Sequence, residues 1–107
     1  MTWKTIASVG QIEEDEPLGV RVEGREIAVF KLGDFLYATD NVCSHQYALL
    51  SDGFVDGEYI ECPLHQGRFH IPSGKAMGGV VTEAIRTYPC RVEGDQVVID
   101  LPDKDQA

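Results

Sequence analysis

Two short Cys/His pairs in the middle of the chain constrain its fold more than any other feature. The pairs are Cys43-Ser44-His45 and Cys62-Pro63-Leu64-His65, and sixteen residues separate His45 from Cys62. Each pair offers one thiolate and one imidazole at short spacing, so each can chelate one metal atom. The separation between the pairs allows two loops to face each other across a metal centre. The remainder of the chain then has to hold these loops in place.

The stretch between Asn41 and Gly79 differs in kind from the rest of the chain. It is rich in Gly, Pro, Cys and His, and only Glu58-Tyr59-Ile60-Glu61 is predicted as a strand. Turns at Gly67 and at Pro72-Ser73-Gly74 would bring backbone N–H groups close to metal-bound sulfur atoms. All four candidate ligands therefore lie in a turn-rich insert, and loops on a rigid scaffold are where binding sites usually occur.

The part of the chain before the insert is predicted to be β-structure. Residues 18–40 consist of short β-branched or aromatic runs separated by turns at Glu23-Gly24-Arg25-Glu26 and at Gly33-Asp34. This pattern indicates three strands joined as hairpins. Trp3 and Ile6 are assigned to a first strand, and the acidic run Glu13-Glu14-Asp15-Glu16 to a solvated loop.

The tail of the chain repeats the strand pattern. One predicted strand covers residues 88–92, and a second follows a turn at Glu93-Gly94-Asp95 and covers residues 97–101. Alternation places one set of side chains on a single face of each strand. These sets are Tyr88, Cys90 and Val92 in the first strand, and Val97, Ile99 and Leu101 in the second.

Charge and composition exclude several classes of protein. The 107 residues carry a formal net charge of −9, which argues against nucleic-acid binding because that function needs a basic surface. No apolar run approaches the ~20 residues of a membrane helix, and the N-terminus lacks a signal-peptide pattern. An odd number of cysteines favours metal chemistry in a reducing compartment over a disulfide scaffold. We expect a single domain over residues 1–107, located in the cytoplasm and bound to no membrane.

The ligand loops and their surroundings resemble a known family, the Rieske proteins. The Cys-x-His and Cys-x-x-His loops, set in an all-β chain of this length, carry the resemblance. Asp52-Gly53 and the run Glu61-Cys62-Pro63-Leu64-His65-Gln66-Gly67-Arg68-Phe69 are similar to one branch in particular. That branch is the small Rieske ferredoxins of bacterial aromatic-ring-hydroxylating dioxygenases, such as those for naphthalene or biphenyl. The resemblance extends from about Trp3 to Leu101.

The resemblance implies a fold, a cofactor and partners. The fold would be an antiparallel β-sandwich or barrel base with a cluster-binding subdomain at residues 41–79. One [2Fe–2S] cluster would be bound, one iron by Cys43 and Cys62 and the other by His45 and His65. The chain would not be an enzyme. It would carry single electrons from a flavin-containing, NAD(P)H-dependent ferredoxin reductase to a terminal Rieske oxygenase.

Departures from the respiratory branch of the family predict a low redox potential. Respiratory Rieske proteins carry an extra disulfide between the ligand loops, and here the matching second-loop position is Leu64. They also place Ser and Tyr hydroxyls near the cluster, where this chain has Gly67 and Phe69. Fewer hydrogen bonds stabilise the more negative reduced form less, so the potential falls. We expect the low end of the family range of roughly −150 to +300 mV.

Two alternatives remain open at this point. The same four ligands could hold a structural zinc ion as a Cys₂His₂ site, although the usual zinc-finger spacings do not match. A Rieske ferredoxin could also serve a different oxygenase or reductase. A visible spectrum distinguishes the zinc site from an iron–sulfur cluster, because zinc is colourless and an iron–sulfur protein is red-brown.

Several other residues are predicted to have structural roles. Cys90 is predicted to be a small core residue and His70 a solvent-facing loop residue. Asp40 and Asn41 are expected to shape the start of the first ligand loop. Possible members of a docking rim around the histidines are Gln46, Tyr47 and Gln66. Predicted core aromatics are Phe30, Phe35 and Tyr88.

Overall fold

A computed structural model of the protein describes residues 2–14, 16–43, 48–63, 67–78 and 83–101. The described elements are β-strands and two 3₁₀ turns, so the all-β prediction is confirmed. The turns are η1 (Val9–Gln11) and η2 (Leu50–Asp52). The strands are β1 (Thr2–Ser8), β2 (Leu18–Val22), β3 (Arg25–Leu32), β4 (Phe35–Asp40), β5 (Phe54–Asp56), β6 (Tyr59–Glu61), β7 (Arg68–His70), β8 (Ala76–Gly78), β9 (Thr87–Tyr88), β10 (Cys90–Glu93) and β11 (Gln96–Leu101).

The strands form three antiparallel sheets. One has the order β1-β11-β10, the second β2-β3-β4-β9 and the third β5-β6-β7-β8. The first two sheets contain the strands before and after the ligand loops, and we call them the base. The third, which we call the insert sheet, is built from the stretch that the sequence predicted to be mostly turns.

The meander of β2, β3 and β4 follows the sequence prediction. Its hairpin turns use Gly24 and Gly33, whose φ angles of 84° and 63° lie in the left-handed region that glycine adopts at little cost. The first turn is tighter than expected, because Arg25 and Glu26 already belong to β3. Short turns of this kind set the register that brings Phe30 of β3 opposite Tyr37 of β4.

Strand β3 is buried on both faces and separates two hydrophobic cores. Ile27 and Val29 point into the core of the base, whereas Ala28 and Phe30 point into a second core beneath the ligand loops. All four are at most 1% exposed. We call the second core the site core. A strand packed on both faces explains the unbroken apolar run in its sequence.

The insert sheet corrects the prediction for residues 41–79, in which one strand was expected. Strands β5, β7 and β8 were missed because each is only three residues long and lies between Gly, Pro or charged residues. Val55, Ile60 and Phe69 are the middle residues of their strands, are less exposed than their neighbours, and pack against or within the site core. Pairing with neighbouring strands and burial of one face therefore define this sheet, not local propensity.

The predicted strand over residues 88–92 is divided at Pro89. Tyr88 belongs to β9, which pairs with β4, whereas Cys90 starts β10, which pairs with β11. Proline lacks a backbone donor and suits the point at which the chain passes from one sheet to the next. As a consequence, Val92 is 49% exposed and does not share the buried position of Tyr88.

Strand β11 is the central strand of its sheet. Val97, Ile99 and Leu101 fill the base core, as the alternation predicted. Val98 and Asp100 on the opposite face are also buried, at 4% and 8% exposed. The Arg91 guanidinium of β10 stacks at 3.9 Å on the ring of Trp3 in β1. These two side chains come from the strands on either side of β11. Trp3 is paired with Asp100 and Arg91 with Val98, so the stack lies on the same face of the sheet as these two buried residues.

One predicted core aromatic lies on the surface. Phe30 and Tyr88 are buried as expected, but Phe35 is 68% exposed because it starts β4 directly after the Gly33-Asp34 turn. In the part of the chain that the structure describes, no helix has the length and apolar character needed to cross a membrane.

Candidate metal centre

The first ligand loop begins where β4 ends. The loop is closed by an antiparallel bridge between Val42 and Leu49. Inside this bridge the Cys43 amide donates a hydrogen bond of 3.0 Å to the Ala48 carbonyl. These contacts fix the backbone of Cys43 at the base of the loop.

The second ligand loop connects β6 to β7. Glu61 and Arg68 form the last pair of these two strands. Beyond that pair the Cys62 amide donates a hydrogen bond of 2.7 Å to the Gly67 carbonyl. This loop is therefore closed in the same way as the first.

The two loops share one backbone arrangement. In each, the cysteine amide donates to the carbonyl of the residue five positions further along the chain. His45 follows its cysteine by two residues and His65 by three, so both fall within the closed spans. The histidines themselves lie outside the described residues. Two loops of matching construction, each with one cysteine at its base, suit a centre that takes ligands from both.

Both cysteines are buried in the site core. Cys43 is 3% exposed and Cys62 is 1% exposed, and they belong to the same cluster of buried residues. Ala48, Leu50 and Phe69 are other members of this cluster. Sulfur donors in apolar surroundings are the donor type that iron–sulfur clusters select, and the dry surroundings help to set their potential. The described residues thus fit a cluster held partly by sulfur.

Cys90 is separate from this site. It packs against the base core, on the other side of β3 from Cys43 and Cys62. Burial raises the pKa of the Cys90 thiol to about 11, which keeps it protonated at neutral pH. Its assignment as a small core residue therefore agrees with the structure, although the side chain is only partly buried.

His70 occupies a strand and not the loop that the sequence suggested. Its ring lies 2.9 Å from a Glu58 carboxylate oxygen and 2.8 Å from the Ser73 hydroxyl. The ring also packs beside Tyr59, with centroids 5.4 Å apart. Both ring nitrogens of His70 therefore have partners on the outer face of the insert sheet. These contacts assign His70 a structural role in the insert sheet, and we do not count it among the candidate ligands.

A glycine turn after β7 brings the insert against the chain segment before β9. Gly74 has a φ of 76°, and its amide donates to the His70 carbonyl at 2.7 Å. Its carbonyl in turn accepts from the Ile85 amide at 2.9 Å. A Cβ at Gly74 would lie 2.2 Å from the Ile85 carbonyl oxygen. Pro72-Ser73-Gly74 is a turn, as the sequence predicted, but its Gly74 amide donates to His70 and is not available to a metal-bound sulfur.

Sequence reasoning found Asn41 but missed its partner. Asn41 is 1% exposed, and its side-chain oxygen accepts a hydrogen bond of 2.7 Å from the Ser51 amide. Its side-chain nitrogen donates to the Ser51 hydroxyl at 2.9 Å. Only the Asn41 position, two residues before Cys43, offered a signal in the sequence. The predicted docking residues Gln46, Tyr47 and Gln66 lie outside the described residues.

A comparison with protein families matches most of the chain. The model for the Rieske [2Fe-2S] domain matches residues 2–89. The ferredoxin component of the naphthalene 1,2-dioxygenase system of Pseudomonas aeruginosa is 48% identical over 99 residues. That alignment covers 92% of this chain and 95% of the relative.

Solved structures give the same result. A ferredoxin of Sphingomonas yanoikuyae B1 superposes with a TM-score of 0.90 at 36% identity, covering 94% of this chain and 100% of that one. The ferredoxin described in a complex of reduced oxygenase and oxidized ferredoxin in carbazole 1,9a-dioxygenase superposes with a TM-score of 0.85 at 30% identity. That match covers 91% of this chain and 100% of the other.

Proposed function

The chain belongs to the Rieske [2Fe–2S] family, and from this membership we propose that it links a flavoprotein reductase to the Rieske oxygenase of an aromatic-ring-hydroxylating dioxygenase. It is an electron-transfer protein of the ferredoxin type and not an enzyme. Its cofactor is a Rieske-type [2Fe–2S] cluster, which supplies a one-electron redox couple when bound. The observation that carries the proposal is the pair of loops closed by equivalent hydrogen bonds, which the backbone amides of Cys43 and Cys62 donate.

We propose Cys43, His45, Cys62 and His65 as the four ligands. The buried cysteines would bind one iron, and the histidines, which lie within the same closed loops, would bind the other. The zinc alternative is set aside because the family match is to an iron–sulfur domain. We further propose that residues 41–79 form the cluster-binding subdomain of a single domain, since β5 to β8 and both loops fall in this range.

The proposed partners follow from the chemistry of electron supply. NAD(P)H gives up two electrons together as a hydride, whereas this cluster accepts one, so a flavin is needed to divide the pair. The acceptor is proposed by analogy with the ferredoxins of the naphthalene and carbazole systems. The net charge of −9 supports docking to a basic surface on such a partner. We place this exchange in the cytoplasm, where NAD(P)H is available.

The ligand assignment has a matched control in the chain itself. There are three cysteines and three histidines, and in each set one member lies outside the ligand loops. Cys62→Ser and His65→Ala should abolish the mixed-valence electron paramagnetic resonance signal after dithionite reduction. Cys90→Ser and His70→Ala should retain it. A retained signal in the first pair would refute the assignment.

Reconstitution tests the partners. The purified holoprotein would be combined with the reductase and the oxygenase of a naphthalene dioxygenase system, and electron throughput would be followed by NADH oxidation coupled to substrate hydroxylation. We expect throughput that depends on this protein and is lost in Cys62→Ser. A protein that is reduced by the reductase but never reoxidised by any dioxygenase component would point to a different acceptor.

A further inference from the structure

The turn η2 contacts the segments that precede both cysteines. On one side, the Leu50 amide donates at 2.7 Å to the backbone carbonyl of Asn41, two residues before Cys43. On the other side, η2 is followed by Gly53, which lies against the backbone of Glu61, the residue before Cys62. The same short segment therefore contacts the chain just ahead of each proposed sulfur ligand.

The contact with the first loop is extended by a side chain. Asn41 Oδ1 accepts the Ser51 amide at 2.7 Å, next to the backbone bond that its carbonyl accepts from Leu50. The Asn41 side chain thus acts as an extra carbonyl at the end of the bridge between Val42 and Leu49. Since Asn41 is fully buried, these polar groups have few other ways to be satisfied.

The contact with the second loop depends on the absence of a side chain. A Cβ added to Gly53 would lie 2.1 Å from the Glu61 carbonyl oxygen, well inside van der Waals distance. Phe54, the next residue, is paired with Glu61 in the ladder of β5 and β6, so Gly53 cannot move away from Glu61 without disturbing that pairing. The distance from η2 to the Cys62 segment is therefore set by direct backbone contact.

The turn is also seated on the base. A Cβ at Gly19 of β2 would lie 2.6 Å from the Ser51 hydroxyl and 2.9 Å from the Asn41 side-chain nitrogen. Strand β2 thus approaches the Asn41–Ser51 pair closely from a third direction. With contacts on three sides, η2 has little freedom to shift relative to either loop.

We propose that η2 is a spacer that sets the separation of the two ligand loops, with Asn41 and Gly53 as positioning residues for the cluster. In the proposed assignment the ligands come from both loops, so the separation of the loops would set the distance between the groups that hold the cluster. This inference rests on the proposed ligand assignment. It adds residues that are not among the four proposed ligands.

The test compares variants that remove the spacer contacts with variants that do not. Asn41→Ala removes the acceptor for the Ser51 amide, whereas Ser51→Ala removes only the bond between the Asn41 nitrogen and the Ser51 hydroxyl. Gly53→Ala inserts the clashing Cβ, whereas Gly10→Ala adds a Cβ that meets nothing within 4 Å. Each holoprotein is reduced with dithionite for electron paramagnetic resonance, and its visible colour is followed in excess iron chelator.

We expect Asn41→Ala and Gly53→Ala to shift or broaden the reduced-state signal and to lose colour about tenfold faster than the parent, as for other residues that support metal ligands. Ser51→Ala and Gly10→Ala should keep the parent signal. Thermal unfolding of all four separates this effect from a general loss of stability, because Ser51→Ala also leaves a buried nitrogen unpaired.

The inference is overturned if Asn41→Ala and Ser51→Ala give the same signal and the same rate of colour loss. If Gly53→Ala does not fold, the comparison of Asn41→Ala with Ser51→Ala still decides the question. A parent protein that shows no mixed-valence signal would instead refute the proposed ligand assignment, so the two failures are distinguishable.

Discussion

The Tyr88 hydroxyl donates a hydrogen bond to the Asp40 carboxylate, joining β9 to the last residue of β4. The first ligand loop starts immediately after Asp40, so this bond anchors the strand from which the loop leaves. The Asp40 amide is held as well, by the Arg86 carbonyl at 2.8 Å. The base therefore fixes the start of the loop through both the backbone and the side chain of Asp40.

Replacing Tyr88 by Phe should destabilise the protein without changing its spectrum. The substitution removes one hydrogen bond to a charged group, for which we expect a loss of about 2 kcal/mol in the free energy of unfolding. Chemical denaturation of the holoprotein measures this loss. An altered electron paramagnetic resonance signal would contradict the assignment of Tyr88 to the base alone.

The protein should lose stability at alkaline pH through Tyr88 and Cys90. Burial, followed by the hydrogen bond to Asp40, raises the pKa of Tyr88 from its ordinary value of 10.0 to about 12. Burial raises the pKa of Cys90 from 9.0 to about 11. Between these values the folded protein holds more protons than the unfolded chain, so the free energy of unfolding falls as pH rises.

The window for this loss runs from about pH 9 to about pH 12, and the contribution of both groups is complete below it. Denaturation at a series of pH values measures it. Cys90→Ala should flatten the lower part of the window and Tyr88→Phe the upper part. Unfolding free energies that rise with pH in this window would contradict the prediction.

The midpoint potential of the holoprotein should lie at the low end of the family range of roughly −150 to +300 mV. The reason is the lack of side-chain hydroxyls at Gly67 and Phe69, which leaves the reduced cluster with fewer hydrogen bonds. A redox titration followed in the visible spectrum gives the value. A midpoint above about +200 mV would be inconsistent with this account.

Phe69→Tyr should raise that potential. Phe69 is fully buried in the same core as Cys62, so a hydroxyl added there enters the surroundings of the cluster. One hydrogen bond of about 1 kcal/mol to the reduced form corresponds to roughly 40 mV for a one-electron couple. Phe54→Tyr is the control, because Phe54 is 65% exposed on the same sheet and should leave the potential unchanged.

Gly74→Ala should destabilise the protein more than Gly24→Ala. Both glycines have positive φ angles, 76° and 84°, so both substitutions impose backbone strain of about 1 kcal/mol. At Gly74 the new Cβ also meets the Ile85 carbonyl oxygen at 2.2 Å, whereas at Gly24 it meets nothing within 4 Å. Thermal unfolding of the two variants measures the difference, and equal losses would show that the Ile85 contact is unimportant.

Sequence reasoning predicted the parts of the fold that depend on local pattern. The hairpins of residues 18–40 were identified because alternating apolar residues and turn glycines occur together. The break at Pro89 was missed, since alternation continues from Tyr88 to Cys90 although the two residues belong to different sheets. Strands β5, β7 and β8 of the insert were missed because they are defined by pairing between segments and carry little signal of their own.

In the candidate site, too, residues with a local sequence signal were predicted and contacts between distant segments were not. Cys43 and Cys62 were recognised from residue type and spacing, and the structure brings both into one core. The contacts of Ser51 with Asn41 and of Gly53 with Glu61 were not predictable, because they join segments that only the folded chain brings together. Residue chemistry thus predicts the ligands, whereas tertiary contacts show which residues lie against the chain ahead of the two cysteines.

Strand β3 has a consequence for the speed of electron exchange. Its two faces pack into two separate cores, so the site core beneath the ligand loops is in turn packed, through β3, against the base core. Close-packed interiors yield little when the charge they surround changes. The chain should therefore rearrange little when it gains or loses an electron, which keeps the nuclear reorganisation energy small. Because a smaller reorganisation energy speeds electron transfer, a short-lived contact with a partner would be long enough for the electron to move.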